Sequence, residues 1–195
     1  MSQPEPKKTP EPISPELFRN VIRHLASGVT VITSTSKGTP VGLTATAVCS
    51  VSARPPMILI SLTTTSNTAQ GVQETGAFAV HLLSHAAKPC AEQFASTSKD
   101  HFEGIAWHSD EAAGVPILNE SLGHFVCTVE QSFAITDHIL FVGRVVACEL
   151  NDKEPHPLLY FDRNYRKLSP ASESPANNLE PWGSAKDIGL PGWGW

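Results

Sequence analysis

A chain of 195 residues with 41% hydrophobic and 17% charged side chains has the material for one domain with a sizeable core. Its formal net charge of −5 argues against the basic footprint of a nucleic-acid binder, and no apolar run approaches the ~20 residues that cross a bilayer. Four scattered cysteines, Cys49, Cys90, Cys127 and Cys148, have neither metal-ligand spacing nor a disulfide framework, so a reduced, cytoplasmic setting is expected.

Proline marks the ends of the expected domain. Pro4, Pro6, Pro10, Pro12 and Pro15 crowd residues 1–15, and Pro170, Pro175, Pro181 and Pro191 crowd residues 169–195. Such segments neither continue a helix nor donate to a central strand. Both are read as tails, the first disordered and without a secretory leader, around a domain over residues 16–168. Trp182, Trp193 and Trp195 in the second tail suggest a docking arm against a neighbouring subunit.

Ser14-Pro15-Glu16 is a helix start, and Leu17, Phe18, Val21, Ile22 and Leu25 recur at helical spacing. After Ser27-Gly28, Val29 to Ile32 opens a strand, and Lys37-Gly38-Thr39-Pro40 is a turn. One long extended stretch is expected from Val41 to Ser52, stopped by Arg54-Pro55-Pro56. Met57–Leu62 and Phe78–Leu83 are apolar strands, with a short helix from Asn67 to Glu74 between them, closed by Gly76. Ala86 to Phe94 reads as helical and His101 to Val115 as irregular. Phe125–Phe133 and Ile139–Leu150 are two long antiparallel strands joined through Ala134–His138, and Leu158–Phe161 is a final strand. This many strands with few helices predicts a mainly β, antiparallel barrel rather than a doubly wound sheet.

The familiar catalytic loops are missing. There is no G-x-G-x-x-G or G-x-x-x-x-G-K-[ST] phosphate cradle, no G-x-S-x-G elbow and no zinc-type cluster. His81 and His85 are the nearest to a ligand pair, and a half-buried strand end and a loop account for them; no metal is expected.

The unusual segment is Gly42-Leu43-Thr44-Ala45-Thr46-Ala47-Val48-Cys49-Ser50-Val51-Ser52. As a strand it places Thr44, Thr46, Ser50 and Ser52 on one face and Ala45, Ala47, Cys49 and Val51 on the other. Hydroxyls beside small side chains let a planar polar ligand lie close to the backbone; a Thr/Ser-rich edge strand is the structural alternative. Further on, Ser61 to Thr68 leaves a strand and enters a helix whose cap is Ser66 or Asn67. Free N–H groups there suit a phosphate, although an ordinary capped helix has the same sequence.

Thr-Ala-Thr-Ala-Val-Cys-Ser-Val-Ser followed by Pro55-Pro56 resembles the signature of the short-chain flavin reductases, the NAD(P)H:flavin oxidoreductase components of two-component flavin-dependent monooxygenases. The likeness continues through Ser27-Gly28-Val29-Thr30, Phe78–Leu83, Phe94, Asp137-His138 and Leu158–Phe161. Thr136 departs from the glycine that the family often has there. The resemblance implies a split β-barrel of the flavin-reductase-like, FMN-binding kind, working as a homodimer. It implies flavin contacts from Thr44, Ala45, Thr46, Ala47, Cys49, Ser50, Ser61 and Leu62, phosphate contacts from Ser66 and Asn67, and a contact from Ser84 to the far part of the flavin. His138, Tyr160, Phe161, Asp162 and Arg163 are the candidates for the nicotinamide side. Cys49 is expected to be a small buried apolar residue rather than a redox group.

The implied cofactors are FMN or FAD with NADH, NADPH being the other nicotinamide, and the implied partner is a separate oxygenase acting on an aromatic compound. No side chain is expected to be essential for proton transfer; His138 is the one candidate. Two other readings share the barrel: a non-catalytic flavin-binding protein, and a pyridoxamine-phosphate-oxidase-like oxidase, which would need a basic phosphate cluster where only Arg54 is at hand.

Overall fold

Hydroxyl caps and tight turns set the element boundaries. The computed structural model describes residues 11–97, 100–151 and 156–168, so both tails, apart from residues 11–15 and with them the three C-terminal tryptophans, lie outside the described residues. Ser14 Oγ accepts from Leu17 N at 3.1 Å and starts α1 (Pro15–Ile22). The helix ends at Arg23, before Ser27-Gly28, which form β1. The turn after β2 (Thr30–Ser36) is two residues long, Lys37 (φ 51°) and Gly38 (φ 77°), the left-handed pair that suits hairpin twist. Ser66 Oγ caps α2 (Asn67–Thr75), which closes at Gly76 with φ 67°.

Twelve strands among the described residues make the molecule mainly β. A seven-stranded antiparallel sheet carries the core in the order β3-β2-β6-β9-β10-β5-β4, where β5 is Pro56–Thr63, β6 Ala77–Leu82, β9 Gly123–Ile135 and β10 His138–Leu150. The expected single strand over Val41–Ser52 is in fact two: β3 (Thr39–Ala45) and β4 (Val48–Ala53). They occupy opposite edges of this sheet, and Thr46-Ala47 carries the chain straight from one edge to the other. Alternation cannot reveal such a crossing, because the backbone stays extended while its pairing partner changes from β2 to β5. The two edges are not paired with each other, as a barrel with an open seam requires.

The main core, with Ile32, Ile60, Leu62, Phe78 and Phe141 all at most 2% exposed, includes Ala69 and Val72 of α2. This helix approaches closely at Gly71, where a Cβ would meet Val41 Cγ2 at 2.9 Å and Thr35 O at 3.0 Å. A second cluster joins Val29, Val31, Leu83 and Leu158 to Ala91 and Phe94 of α3 (Lys88–Ala95), which follows a single 3₁₀ turn at His85–Ala87. The stretch read as irregular contains β7 (Trp107–Ser109), paired with β8 (Pro116–Leu118). Beyond β11 (Leu158–Phe161), the strongly polar Asn164–Lys167 forms an unexpected β12, and the two make a small sheet in which β11 stands between β1 and β12.

His81 is fully buried rather than half-buried. Its Nδ1 lies 3.1 Å from Val31 O and its Nε2 accepts from Leu118 N at 3.1 Å. The ring is thus a neutral crosslink between strands.

The β9–β10 turn departs from the glycine pattern in sequence but not in backbone. Thr136 has φ 53°, where a β-branched residue is strained. Thr136→Gly is therefore expected to stabilise the fold by about 1 kcal/mol, the relief of strain exceeding the entropy of the added glycine. A urea denaturation curve whose midpoint falls instead of rising would contradict this.

Candidate functional site

Strand β3 walls two depressions in succession. Thr44, Ala45 and Thr46 line a cleft of about 230 Å³ with Val29, Ala95, Tyr160 and Tyr165. Thr39 to Leu43 line a groove of about 1030 Å³ that reaches Ser66 and Asn67 at the start of α2. The crossing is fastened to β5 by Ser61 N, which donates to Ala47 O at 3.1 Å.

Thr46, Ala47, Cys49 and Ser50 are all exposed along this crossing and the first residues of β4, an edge strand paired only with β5. A β-bulge between Ser50 and Ser52 breaks the expected regular alternation of faces. Cys49 is not buried: it is exposed, its Sγ donating to Ser50 O at 3.2 Å. The buried thiol is Cys127, pushed up to about 12, and the half-buried Cys90 is pushed up to about 11, both mainly by desolvation.

Several hydroxyls are already engaged. Thr44 Oγ1 donates to Ala91 O at 2.6 Å, so it anchors β3 to α3, while Thr30 Oγ1 donates to Ala45 O at 2.7 Å. Ser66 Oγ accepts from Ala69 N and donates to Thr63 O. The first helical bond runs from Gln70 N to Ser66 O, so the donors this cap offers an anion are the N–H groups of Asn67 and Thr68, not the serine hydroxyl. Leu62 is 2% exposed and lies in the core; its side chain faces away from any ring on the outer surface. Ser84 caps the 3₁₀ turn and bridges to Pro157, lining a different pocket with Glu120, Ser121 and Asn151.

The expected nicotinamide set divides between two sheets. His138 opens β10 opposite Thr63, beside the start of α2, where Thr64 N donates to Asp137 O at 2.9 Å. Its Nδ1 lies 2.8 Å from Asp137 Oδ1. Hydrogen bonds from His138 and then Thr136 hold the Asp137 carboxyl below the usual range. Tyr160 instead lines the β3 cleft, edge-on to Tyr165 with ring centroids 5.5 Å apart. Asp162 is a structural tie: its N donates to Arg23 O at 2.8 Å and its Oδ1 stands 3.0 Å from Arg23 Nε, close enough for an ion pair. With Arg163 it forms the left-handed turn of the β11–β12 hairpin (φ 48° and 62°), which leaves Arg163 exposed at the tip. Phe161 packs edge-on against His24 at 5.9 Å.

Sequence reading missed Tyr165 because it sits in the polar β12, and Ala95 because it closes α3. It also missed His101, Phe102 and Trp107 on the groove, hidden in a segment with no periodicity.

These features suit a flat cofactor with a phosphate tail. The exposed ribbon is of small residues, its edge backbone is open, and a capped nine-residue helix begins six residues after Ser61. No group of three His, Cys, Asp or Glu side chains among the described residues could hold a metal ion.

Residues 22–169 match the family model described as the flavin reductase like domain. The chain is 34% identical over 179 residues to a flavin reductase (NADH) of Kitasatospora aureofaciens, covering 88% of this chain and 93% of that one. It is 33% identical over 172 residues to the HsaB reductase subunit of a flavin-dependent monooxygenase of Rhodococcus jostii, covering 88% and 85%. Among solved structures, nitrilotriacetate monooxygenase component B from Mycobacterium thermoresistibile superposes with a TM-score of 0.77 at 30% identity, covering 86% of this chain and 95% of that one. A mainly β sheet with an open seam, a ribbon of small residues crossing that seam and a family match along most of the sequence agree: this chain belongs to the flavin reductase-like domain family.

Proposed function

We propose that the protein is an NADH-dependent flavin reductase that supplies reduced FMN or FAD to a separate monooxygenase component acting on an aromatic compound. The observation that carries this reading is the exposed Thr46–Ser50 ribbon, tied through Ala47 and Ser61 to the strand that leads into the capped α2, in a chain of this family. The names of its relatives, a flavin reductase (NADH) and a monooxygenase reductase subunit, support the same activity.

When bound, flavin would supply the redox chemistry, as the acceptor of a hydride from the nicotinamide. The residues of this chain bind and orient. Small side chains at Ala47 and Cys49 would let a ring approach the backbone, and edge N–H groups of β4 would offer donors to its reduced, negatively charged form. The N–H groups of Asn67 and Thr68 would hold the phosphate. Tyr160 and Tyr165 wall the neighbouring cleft against water, and His138, oriented by Asp137, is a positioning donor at the α2 end. No side chain need transfer a proton.

The working form is a homodimer. Leu17, Phe18, Val21, Ile22 and Leu25 line the exposed side of α1 and its continuation, and Phe133, Ile135, Val146 and Leu150 are exposed on the long strands; apolar surface on this scale marks a protein interface. No helix among the described residues is long and apolar enough to cross a membrane, and four free cysteines suit a reducing cytoplasm.

Ala47→Phe tests the ribbon. The bulkier side chain should raise the KM for FMN by at least about tenfold, the price of a misplaced ring, with far-UV circular dichroism unchanged. An unaltered KM would remove the ribbon from the flavin site.

A further inference from the structure

The groove beyond the phosphate end of the site carries a recognition surface that flavin mononucleotide alone would not use. At about 1030 Å³ it lies at the upper end of small-molecule sites, whereas the adjoining cleft of about 230 Å³ admits a single ring. Its outer wall is aromatic and held in place. Phe94, 1% exposed, packs edge-on to Phe102 with centroids 5.0 Å apart, and Phe102 packs edge-on to Trp107 at 5.7 Å. Trp107 is 38% exposed and paired in register with Leu118, so one large flat side chain is presented to the groove from a fixed backbone. The His101 ring nitrogens lie 2.9 Å from Gly42 O and 3.1 Å from Ser96 O, which ties the same wall to β3.

The polar lining is of hydroxyl and amide groups, including Thr39, Thr65 and Asn67. Among the described residues lining it, Asp100 is the one carboxylate and there is no lysine or arginine. That chemistry suits a neutral planar base and a ribose, not a further phosphate. We infer that this groove binds the adenylate half of a dinucleotide, its base stacked on Trp107 and its phosphate beside, not on, the Asn67 and Thr68 N–H groups that would hold the flavin phosphate. The inference rests on the reductase reading and deepens it, since FAD and NADH both carry that half while FMN does not. The lack of a basic partner also disfavours the 2′-phosphate of NADPH.

The test is steady-state kinetics of the full chain and of Trp107→Ala, with FAD and with FMN as acceptors. Base–aromatic stacking corresponds to a change of about tenfold. A fall of about tenfold in the FAD-to-FMN ratio of kcat/KM, recovered in Trp107→Phe, supports the inference and assigns the adenylate to FAD. An unchanged ratio with KM for NADH raised about tenfold, FMN being the acceptor, supports it and assigns the adenylate to NADH. AMP should inhibit the wild-type protein competitively against the same dinucleotide and not against FMN, a measurement that needs no variant. If AMP competes with neither dinucleotide, or if both kinetic readouts stay within twofold in a Trp107→Ala protein that turns over FMN, the inference is overturned. A wild-type protein that reduces FMN with no response to AMP thus faults this groove alone, whereas one that reduces no flavin faults the reductase reading and this inference with it.

Discussion

Lowering the pH from 6.5 to about 4.5 is expected to cost this fold about 2 kcal/mol through one side chain, His81. Burial, the dominant cause, pulls its pKa down to about 3 from 6.5, with the hydrogen bond to Val31 opposing and the nearby His124 and His108 adding to the fall. More than about one unit above pH 6.5 the ring is neutral in both folded and unfolded chains and contributes no pH dependence. Below it the unfolded chain binds a proton that the folded one refuses, so stability drops by about 1.4 kcal/mol per pH unit until the folded ring itself titrates near pH 3. His124, also lowered mainly by burial, adds a smaller contribution of the same sign. His81→Gln should be less stable at neutral pH, because Val31 O and Leu118 N lose well-placed partners. Its stability should nevertheless fall less steeply with acid, by one proton's worth of slope. Equal slopes in denaturant titrations of the two proteins between pH 6.5 and 4.5 would show that His81 is not a neutral crosslink.

Gly143→Ala should be comparably damaging at any pH. A Cβ at this position in β10 would stand 2.5 Å from Phe78 Cζ, 2.7 Å from its Cε1 and 2.9 Å from Cys127 Cβ. Phe78 is fully buried at the centre of the core, so its ring cannot swing aside without displacing neighbours. Overpacking of this severity is worth about 3 kcal/mol, a fall of roughly 10 °C in Tm for a domain of this size. Phe78→Leu removes the obstructing ring edge, so the double variant should be clearly more stable than the sum of the two single losses predicts. Additive losses would place the damage elsewhere.

Where a local rule decides the structure, the sequence was readable. Ser14, Ser66 and Gly76 fix helix ends through groups within a few residues, and Lys37-Gly38 fixes a hairpin by its own backbone preference. What could not be read depends on partners distant in the chain. Thr44 to Ser52 has the composition of one strand, but β3 and β4 answer to β2 and β5, and only the assembled sheet shows Thr46-Ala47 spanning the seam. His138 and Tyr160 were grouped by chemistry, yet register puts one beside Thr63 and the other opposite Ser27. Phe102 gives no periodic signal because its order comes from an aromatic stack onto Phe94, and Trp107 gives none because its three-residue strand β7 is too short to show alternation. The α1 stripe had the right period for a core face but finds no cover within the described chain, since apolar spacing does not say whether the covering surface is the same molecule.

In the proposed reductase the ribbon across the seam brings flavin and nicotinamide together for hydride transfer. The most direct test is anaerobic stopped-flow mixing of the purified protein and FMN with NADH, following the visible absorbance of the flavin. Bleaching much faster than in the protein-free control, and slowed in Ala47→Phe, is the expected result. Flavin that binds the protein yet is reduced no faster than in buffer would contradict the account and leave a flavin carrier in place of a reductase.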